Sequence, residues 1–465
     1  MPTSCVPRRH FLAGLGAGFV AGLPLGILGW NNWNTKVETR KLEHSPHVGM
    51  PGLYPGRVIE ISNPRVTDTK YRVDRTILRA MVDRGMCELT GADEPPEAWK
   101  KLFAKDDVVG IKLNPVGRRN GRYDVAESIS HKELLLETVR NLRQIGIPAQ
   151  NIILFERYAI EFIQAGYGDM MTERELDGVR WCASSAAYTN EQLAIDGNDK
   201  PDQFSPELMR HVMGYDPDCF VQMGFAAPEH HSKDDRRYRS HLSAIVTRMV
   251  NKIITLPVLK DHRSAGVTLA LKNMSHGMNN NVARSHIVSV PHGYPTSVAR
   301  TVTSPNQCNT FIPAAVNQPL LKQKATLHIL DGLLGVYEGG PGNWNKTWGT
   351  WRANSLFFAT DPVAMDHVGW DRIDSKRIQV GLPRVGEMGR HLFTTDRKAL
   401  MALTDLGGTR LPEALTLLAA QRFVRSGGDT EVLDRRQPEH ILLAGLIGLG
   451  VFDIAQITHR TIALA

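Results

Sequence analysis

Four histidines, His262, His276, His286 and His292, fall within 31 residues of a chain whose 17 histidines in 465 positions would place about one there. Two of them stand in settings that suit chemistry. His262 closes the apolar stretch "LPVLKDH", and His276 sits in "LALKNMSHGMNNN", where an expected Gly-bounded loop would present it to solvent or ligand. An imidazole at such a position serves as a general base, or as a metal ligand through its neutral ring nitrogen. With Asp331, which ends the apolar run "LHILD", as the third ligand (His262, His276 and Asp331), or with Glu156 in its place, the two histidines make a candidate ligand set for a divalent metal.

Three lysines occupy equally unusual places. Lys112 lies inside the apolar run "VVGIKLN", Lys260 inside "PVLKDH", and Lys272 in "ALKN". An ammonium group taken out of water needs either a carboxylate partner, for which Glu156 or Asp331 would serve, or an anionic ligand. Three such lysines point to a pocket for a carboxylate or phosphate, because desolvated ammonium groups attract anions strongly at low local dielectric. Lys112, Lys260, His262, Lys272 and His276 are therefore the candidate catalytic residues, and the neighbouring amides Asn114 and Asn273 are candidate substrate contacts. Gly339 and Gly340, in "YEGGPGNWNKTW", are further substrate candidates, since glycine lets a backbone approach a ligand closely. The run lacks both the phosphate-loop and dinucleotide glycine spacings. Trp344, Trp348 and Trp351 nearby could wall a ring-shaped ligand or simply pack the loop down.

Other chemistries find no support. There is no G-x-S-x-G elbow and no Cys-His pair at recognisable spacing. Cys87, Cys182, Cys219 and Cys308 are widely spaced with no C-x-x-C, so a cysteine-ligated iron–sulfur cluster is not expected, and at most one or two disulfides could form.

The elements that must position these residues are legible as alternating strands and helices. "RVIEIS" reads as a strand, and "VDRTILRAMVDRGMCELTG" as an amphipathic helix stopped by Gly91. "DDVVGIKLNP" is a buried strand ended by Pro115, "SHKELLLETVRNLRQIGIP" a helix, and "NIILFER" another buried strand. After a less regular region, roughly 160–245, the pattern returns in "NKIITLPVLK", "ATLHILDGLLG" and "NSLFFATDPVAMDHVGWDRI". In the last of these, Asp361 and Pro362 supply the start chemistry of a helix. This is an α/β fold, a parallel or mixed central sheet covered by helices. If the strands are parallel, the polar ends Lys112/Asn114, Glu156/Arg157, Lys260/His262 and Asp331 meet at one edge, where open α/β sheets bind ligands. The organisation expected is a leader over 1–41, an α/β domain over 42–375 with an insertion at about 160–245, and a mostly helical extension over 376–465.

Bulk charge excludes one class of function. Of the net charge of +7, residues 1–41 carry +4, and the remainder is scattered, which is too little for a nucleic-acid footprint. The mixed-sign run "KDDRRYR" (Lys233–Arg239) reads as a solvated face. The N-terminus has the features of a twin-arginine export signal: Arg8 and Arg9, then Phe-Leu, then twenty uncharged residues from Phe11 to Trp30 diluted by six glycines and Pro24. The twin-arginine machinery is the expected partner and a periplasmic or extracytoplasmic location follows. The length of the apolar segment also allows N-terminal membrane anchoring.

The segments "DVVGIKLN", "HKELLLETVRNLRQIGIPAQNIILFER", "LPVLKDHRSAGVTLALKNMSHG", "ILDGLLGVYEGGP" and "FFATDPVAMDHVGWDRI" together resemble the family known as domain of unknown function 362, over about residues 107–375. The "LKDH…GVTLALKN…HG" element is the most specific. The resemblance implies that Lys112, Lys260, His262, Lys272, Asn273, His276, Asp331, Asp361 and Asp366 lie in family-characteristic segments, and that export signals of this kind are common among similar chains. Some relatives carry ferredoxin-type clusters, for which this chain has no matching cysteines. The reading that follows is an exported enzyme with a Lys/His/Asp site for a small anionic molecule, open to a divalent metal, with redox or isomerase/lyase chemistry on a carboxylate or sugar acid. The alternatives are a non-catalytic periplasmic metal- or anion-binding protein and a partner-binding module.

Overall fold

The structure is a computed structural model and describes residues 49–119, 126–189, 192–223, 233–262, 264–286, 307–343, 348–385 and 438–465. The export signal, His292 and Trp344 lie outside the described residues. Among those described, no helix is long and apolar enough to cross a membrane.

The elements run β1 (Arg57–Ser62), α1 (Arg75–Thr90), α2 (Pro95–Lys100), β2 (Val109–Lys112), α3 (Lys132–Gln144), β3 (Ile152–Tyr158), α4 (Ala159–Gln164), α5 (Tyr167–Met170), β4 (Arg180–Ser185), α6 (Pro206–Met209), β5 (Tyr215–Gln222) and β6 (Arg239–Ser243). They continue with β7 (Lys252–Thr255), β8 (Val258–His262), β9 (Gly266–Val267), α7 (Leu269–Met278), α8 (Gln307–Val316), α9 (Pro319–Lys324), β10 (Ala325–Glu338), β11 (Gly349–Trp351), β12 (Ser355–Ala359), α10 (Pro362–Gln379), α11 (Glu439–Leu446) and β13 (Thr458–Ala463). Eleven strands form one mixed sheet whose main path is β13-β1-β12-β10-β7-β2-β3-β4, and β5 with β6 makes a separate antiparallel ribbon. The α/β expectation holds. β10, β7, β2, β3 and β4 are mutually parallel, and β8 runs parallel to β10.

Each strand divides its residues between two cores by alternation. Val109, Ile111, Ile152, Leu154, Leu327 and Ile329 face α1, α2 and α3. Ile153, Phe155, Ile253, Leu330 and Phe357 face α7, α8 and α10. Lys112 therefore points to the α7 side, since it has the parity of Gly110 and not of Ile111.

The "NKIITLPVLK" segment breaks into β7 and β8 at Leu256-Pro257, because proline cannot donate to the ladder. The "ILDG" segment is not a strand end: β10 continues through Asp331 to Glu338, pairing first with β7 and then with β8. At the carboxyl end of the chain, β13 pairs parallel to β1 and finishes the sheet.

"LALKNMSHGM" is helix α7, so His276 lies in its last turn and not in a loop. Its start is held from outside. The Asp366 carboxylate on α10 accepts from Ala270 N at 2.7 Å and Leu271 N at 2.9 Å, supplying the partners that a helix N-terminus lacks. Leu269 sits at φ 44°, a conformation that costs a non-glycine residue about 1–3 kcal/mol and persists here because its neighbours are fixed. The exit is held by amides: Asn279 Nδ2 donates to Ser275 O, and Asn280 Oδ1 accepts from His241 N.

Candidate active site

At the carboxyl edge of β2, β3 and β8, on the face covered by α7, lies a cavity of about 150 Å³. Lys112, Arg157, His262, Lys272, His276 and His286 are among the residues that line it. Helical spacing puts Lys272, Asn273, His276 and Gly277 on one face of α7, one turn apart. The predicted lysines and histidines thus do converge, but they play different parts.

Lys112 belongs to the structural wall. Its Nζ donates to Glu156 Oε2 at 2.5 Å, to Leu113 O at 2.6 Å and to Asn273 Oδ1 at 3.3 Å. Burial pushes the ammonium down and the Glu156 carboxyl up, and in each case the partner's opposite charge works against the shift. Gly277 exists in that form because of this lysine: a Cβ there would come within 2.4 Å of Lys112 Cε and 2.6 Å of its Nζ. Arg157 Nη1 donates to the His276 carbonyl at 2.7 Å, joining β3 to the end of α7.

Lys260 is likewise held by its own chain, donating to Asn114 Oδ1 at 3.0 Å and to the Val116 carbonyl. Burial first, then the nearby Lys272 charge, lowers it to about 7. Asn114 is therefore a partner for Lys260, although it also lines the cavity.

Lys272 differs from both. It is only 6% exposed, lines the cavity, and has no hydrogen-bond or ion-pair partner among the described residues. Burial lowers it to about 8, with Cys308 favouring the ammonium form and Arg157 opposing it. Around it are further buried groups without hydrogen-bond partners among the described residues: Asn273 Nδ2, Thr268 Oγ1 and both ring nitrogens of His440. His440, on α11, lies within electrostatic reach of Lys272 and His262.

His262 Nδ1 accepts from Ser264 N at 3.0 Å and Ala265 N at 3.2 Å. Its lone pair is thereby used, so the neutral ring carries its proton on Nε2 and presents a donor, not a ligand nitrogen. Burial, then Lys272, holds both His262 and His276 well below the ordinary histidine value, so both rings are neutral. His276 engages Ser275 Oγ at 2.9 Å and Ser285 Oγ at 2.8 Å.

The metal set expected from sequence does not assemble. Asp331 shares the parity of Ile329, faces α3, and accepts from His131 N at 2.7 Å and Leu333 N at 3.0 Å. It lines a second cavity with His131, Lys132 and Glu133 on the opposite face of the sheet. His262 is committed to backbone amides. The donors that do gather are His276, His286 and Cys308, whose ligand atoms all lie within 4.8 Å of one another. Gly339 and Gly340 also take another role: a Cβ on Gly340 would meet Asp261 O at 1.9 Å, and Gly340 N donates to Asp261 Oδ1 at 2.6 Å. The glycines let this turn close onto β8, and Pro341 is the part that reaches the cavity. Trp348 donates to Ala126 O, and Trp351 stacks over Gly335, so both pack the loop down. Cys87, Cys182 and Cys308 are free thiols, and no disulfide forms among the described residues.

Cys308 and His440 were not singled out from sequence. Each sits on a distant helix with no local pattern around it. His286 had only its membership of the histidine cluster to mark it.

Fold and site together describe an α/β protein with a buried, cation-rich cavity at the carboxyl edge of its sheet. Residues 229–371 match the family described as domain of unknown function (DUF362). That stretch holds Lys260, His262, Lys272, His276, His286, Cys308 and Asp331, and leaves Lys112, Glu156, Arg157 and His440 outside it. No curated protein matches the chain. Among solved structures, the crystal structure of a protein from Thermotoga maritima is similar at 10% identity, covering 84% of this chain and 88% of that one, with a TM-score of 0.31.

Proposed function

We propose that this is an exported enzyme that binds a small anionic molecule, a carboxylate or sugar acid, and moves a proton to or from it through Lys272. One observation carries the reading: a buried ammonium without a partner among the described residues faces a cavity beside the orphaned Asn273 Nδ2 and Thr268 Oγ1. An unpaired buried cation is strongly unfavourable, and an anion supplies what is missing. An amine held at about 8 exchanges its proton readily near neutral pH, which suits acid/base work of the isomerase or lyase kind. His262 would offer its Nε2–H to the substrate as a hydrogen-bond donor. Lys112–Glu156 and Lys260–Asn114 would hold the walls. The export half of the proposal rests on Arg8, Arg9 and the uncharged stretch behind them.

Calorimetry with a panel of small carboxylates, sugar acids and phosphate tests the anion site. At least one should bind the wild type, with affinity falling about 100-fold or more in Lys272→Met, in line with the loss of a buried charged partner. Equal binding by both proteins would remove Lys272 from the site. Incubating a bound carboxylate with the enzyme in D₂O and following the carbon-bound protons by NMR tests the proton transfer. Binding without deuterium uptake would favour the non-catalytic binder. For export, fractionation of cells expressing Arg8→Lys with Arg9→Lys should move the protein from the periplasm to the cytoplasm, and an unchanged distribution would reject the twin-arginine route.

A further inference from the structure

We infer that His276, His286 and Cys308 form a binding site for one divalent transition metal of the zinc class, set in the wall of the Lys272 cavity. Three separate elements deliver the donors: the last turn of α7, the short helical turn Ala283–His286, and α8. The ring centroids of His276 and His286 are 4.9 Å apart at an interplanar angle of 78°, so the rings converge from different directions.

The hydrogen bonds around the donors fit a ligand role. His286 Nδ1 lies 3.3 Å from Val282 O. A carbonyl only accepts, so Nδ1 carries the proton and Nε2 keeps the lone pair. His276 can be oriented in the same sense: with Nδ1–H given to Ser275 Oγ, and Ser275 donating onward to Lys272 O, Nε2 becomes the ligand nitrogen. A ring nitrogen that donates to a neighbouring oxygen while the other ligates is the usual second shell of a metal-bound histidine. Burial opposes thiolate formation at Cys308, and the Lys272 ammonium favours it. Two neutral imidazoles and one thiolate are the donor set that a borderline-soft divalent ion prefers over oxygen-only sites.

The competing explanation is a hydrogen-bonded cluster centred on Ser285. Its Oγ meets His276 Nε2 at 2.8 Å and Cys308 Sγ at 3.8 Å, and donates to Val282 O at 2.7 Å. That hydroxyl accounts for His276, and the Cys308 thiol donates to the Ser285 carbonyl at 3.3 Å, which leaves its sulfur lone pairs for a metal, while His286 makes no contact with the hydroxyl among the described residues. In a tetrahedral site the donors would sit about 3.4–3.8 Å apart, so from separations of at most 4.8 Å loading requires them to close by up to about 1.4 Å. With three protein ligands, and two of them lining the cavity, the fourth position opens toward Lys272. This is the arrangement of a catalytic rather than a structural ion. A bound ion and the Lys272 ammonium would then address the same anion. The metal site stands on its own donors and does not depend on the anion reading.

The full-length protein, stripped with chelator, desalted and offered one equivalent of zinc, tests the proposal by metal analysis. About one zinc per chain should be retained by the wild type, falling to roughly a tenth or less in Cys308→Ser and His286→Gln, each checked for folding by circular dichroism. Cobalt in place of zinc should give a thiolate-to-metal charge-transfer band that Cys308→Ser abolishes. Lys272→Met and Ser285→Ala should keep the metal, and of these two only Lys272→Met should lose anion binding. Copper or nickel retained in zinc's place on the same three residues would support the site with a different ion. Failure to hold any of these ions, or retention undiminished in both ligand variants, would overturn it. Anion binding that survives such a failure would leave the reading of Lys272 intact.

Discussion

Two cavities open at neighbouring places along the same sheet, one on each face, and they differ in whether the chain hydrogen-bonds the ionisable group it buries. On the α3 side, Asp331 is a buried carboxylate met by two backbone amides, those of His131 and Leu333. On the α7 side, the buried ammonium of Lys272 is met by nothing among the described residues, while Lys112, which lines the same cavity, has a carboxylate, a carbonyl and an amide. A charge that the chain satisfies for itself is part of the architecture. One it leaves unsatisfied is an energetic deficit, tolerated where a ligand can remove it. The contrast is the reason for proposing the α7 cavity as the functional one, although a groove elsewhere on the surface, lined by Arg57, Asp83 and Arg460, is larger.

The sharpest way to break the comparison is to unpair the satisfied lysine. Glu156→Ala should destabilise the fold by about 3–5 kcal/mol, since it strands Lys112 in the interior. Chemical denaturation reads this directly, and adding Lys112→Met should recover most of the loss. A Glu156→Ala variant as stable as wild type would mean that the pair is not structural.

Lys272→Met should do the reverse. The ammonium is lowered from 10.5 to about 8, so the folded state disfavours its charge, and removing it should stabilise the protein at neutral pH by up to about 3 kcal/mol. The sign follows from the depressed value. The wild type is at no disadvantage above about 10.5, loses stability relative to the variant as pH falls toward 8, and shows a constant deficit below that. A stabilised variant that no longer binds anions is the signature of a functional residue, and a destabilised one would show that Lys272 has a structural partner.

Asp331→Asn probes the other face. The carboxyl is raised from 3.8 to about 6 by burial, so its protonated form is favoured in the fold. That contribution is complete below pH 3.8 and is lost as pH rises through 6. The asparagine variant should therefore gain on the wild type by about 2–3 kcal/mol between pH 4 and 7, read from denaturation midpoints, with anion and metal binding unchanged. A loss of either binding would tie the two cavities together. The smallest effect expected is from Gly277→Ala, about 1–3 kcal/mol of overpacking against Lys112. Its thermal midpoint should recover when Lys112 is shortened to alanine together with Glu156→Ala.

Much of this molecule was written locally. The strand "DVVGIKLN", the helix ended by Gly91 and the Asp361-Pro362 helix start appear where their residues place them, because periodicity, caps and proline act over a few positions. Asp361 indeed accepts from Val363 N and Ala364 N. Local pattern also flagged Lys112, Lys260, His262, Lys272 and His276, since a charged or titratable group inside an apolar run stands out wherever the run goes. The same locality misplaced "SHGM", where Gly277 looked like a loop residue and is instead the helical position against which Lys112 lies.

What the sequence determined, then, is which segments become strands and helices and which polar side chains they carry into the interior, because those outcomes depend on neighbours along the chain. Only the tertiary structure decided which of these side chains meet. The continuation of β10 past Asp331 turned that carboxylate to the far face, Asp366 anchored α7 over β2 and β3, and α8 and α11 brought Cys308 and His440 within electrostatic reach of Lys272. Packing and strand parity act between residues hundreds of positions apart, and no local pattern records the partner.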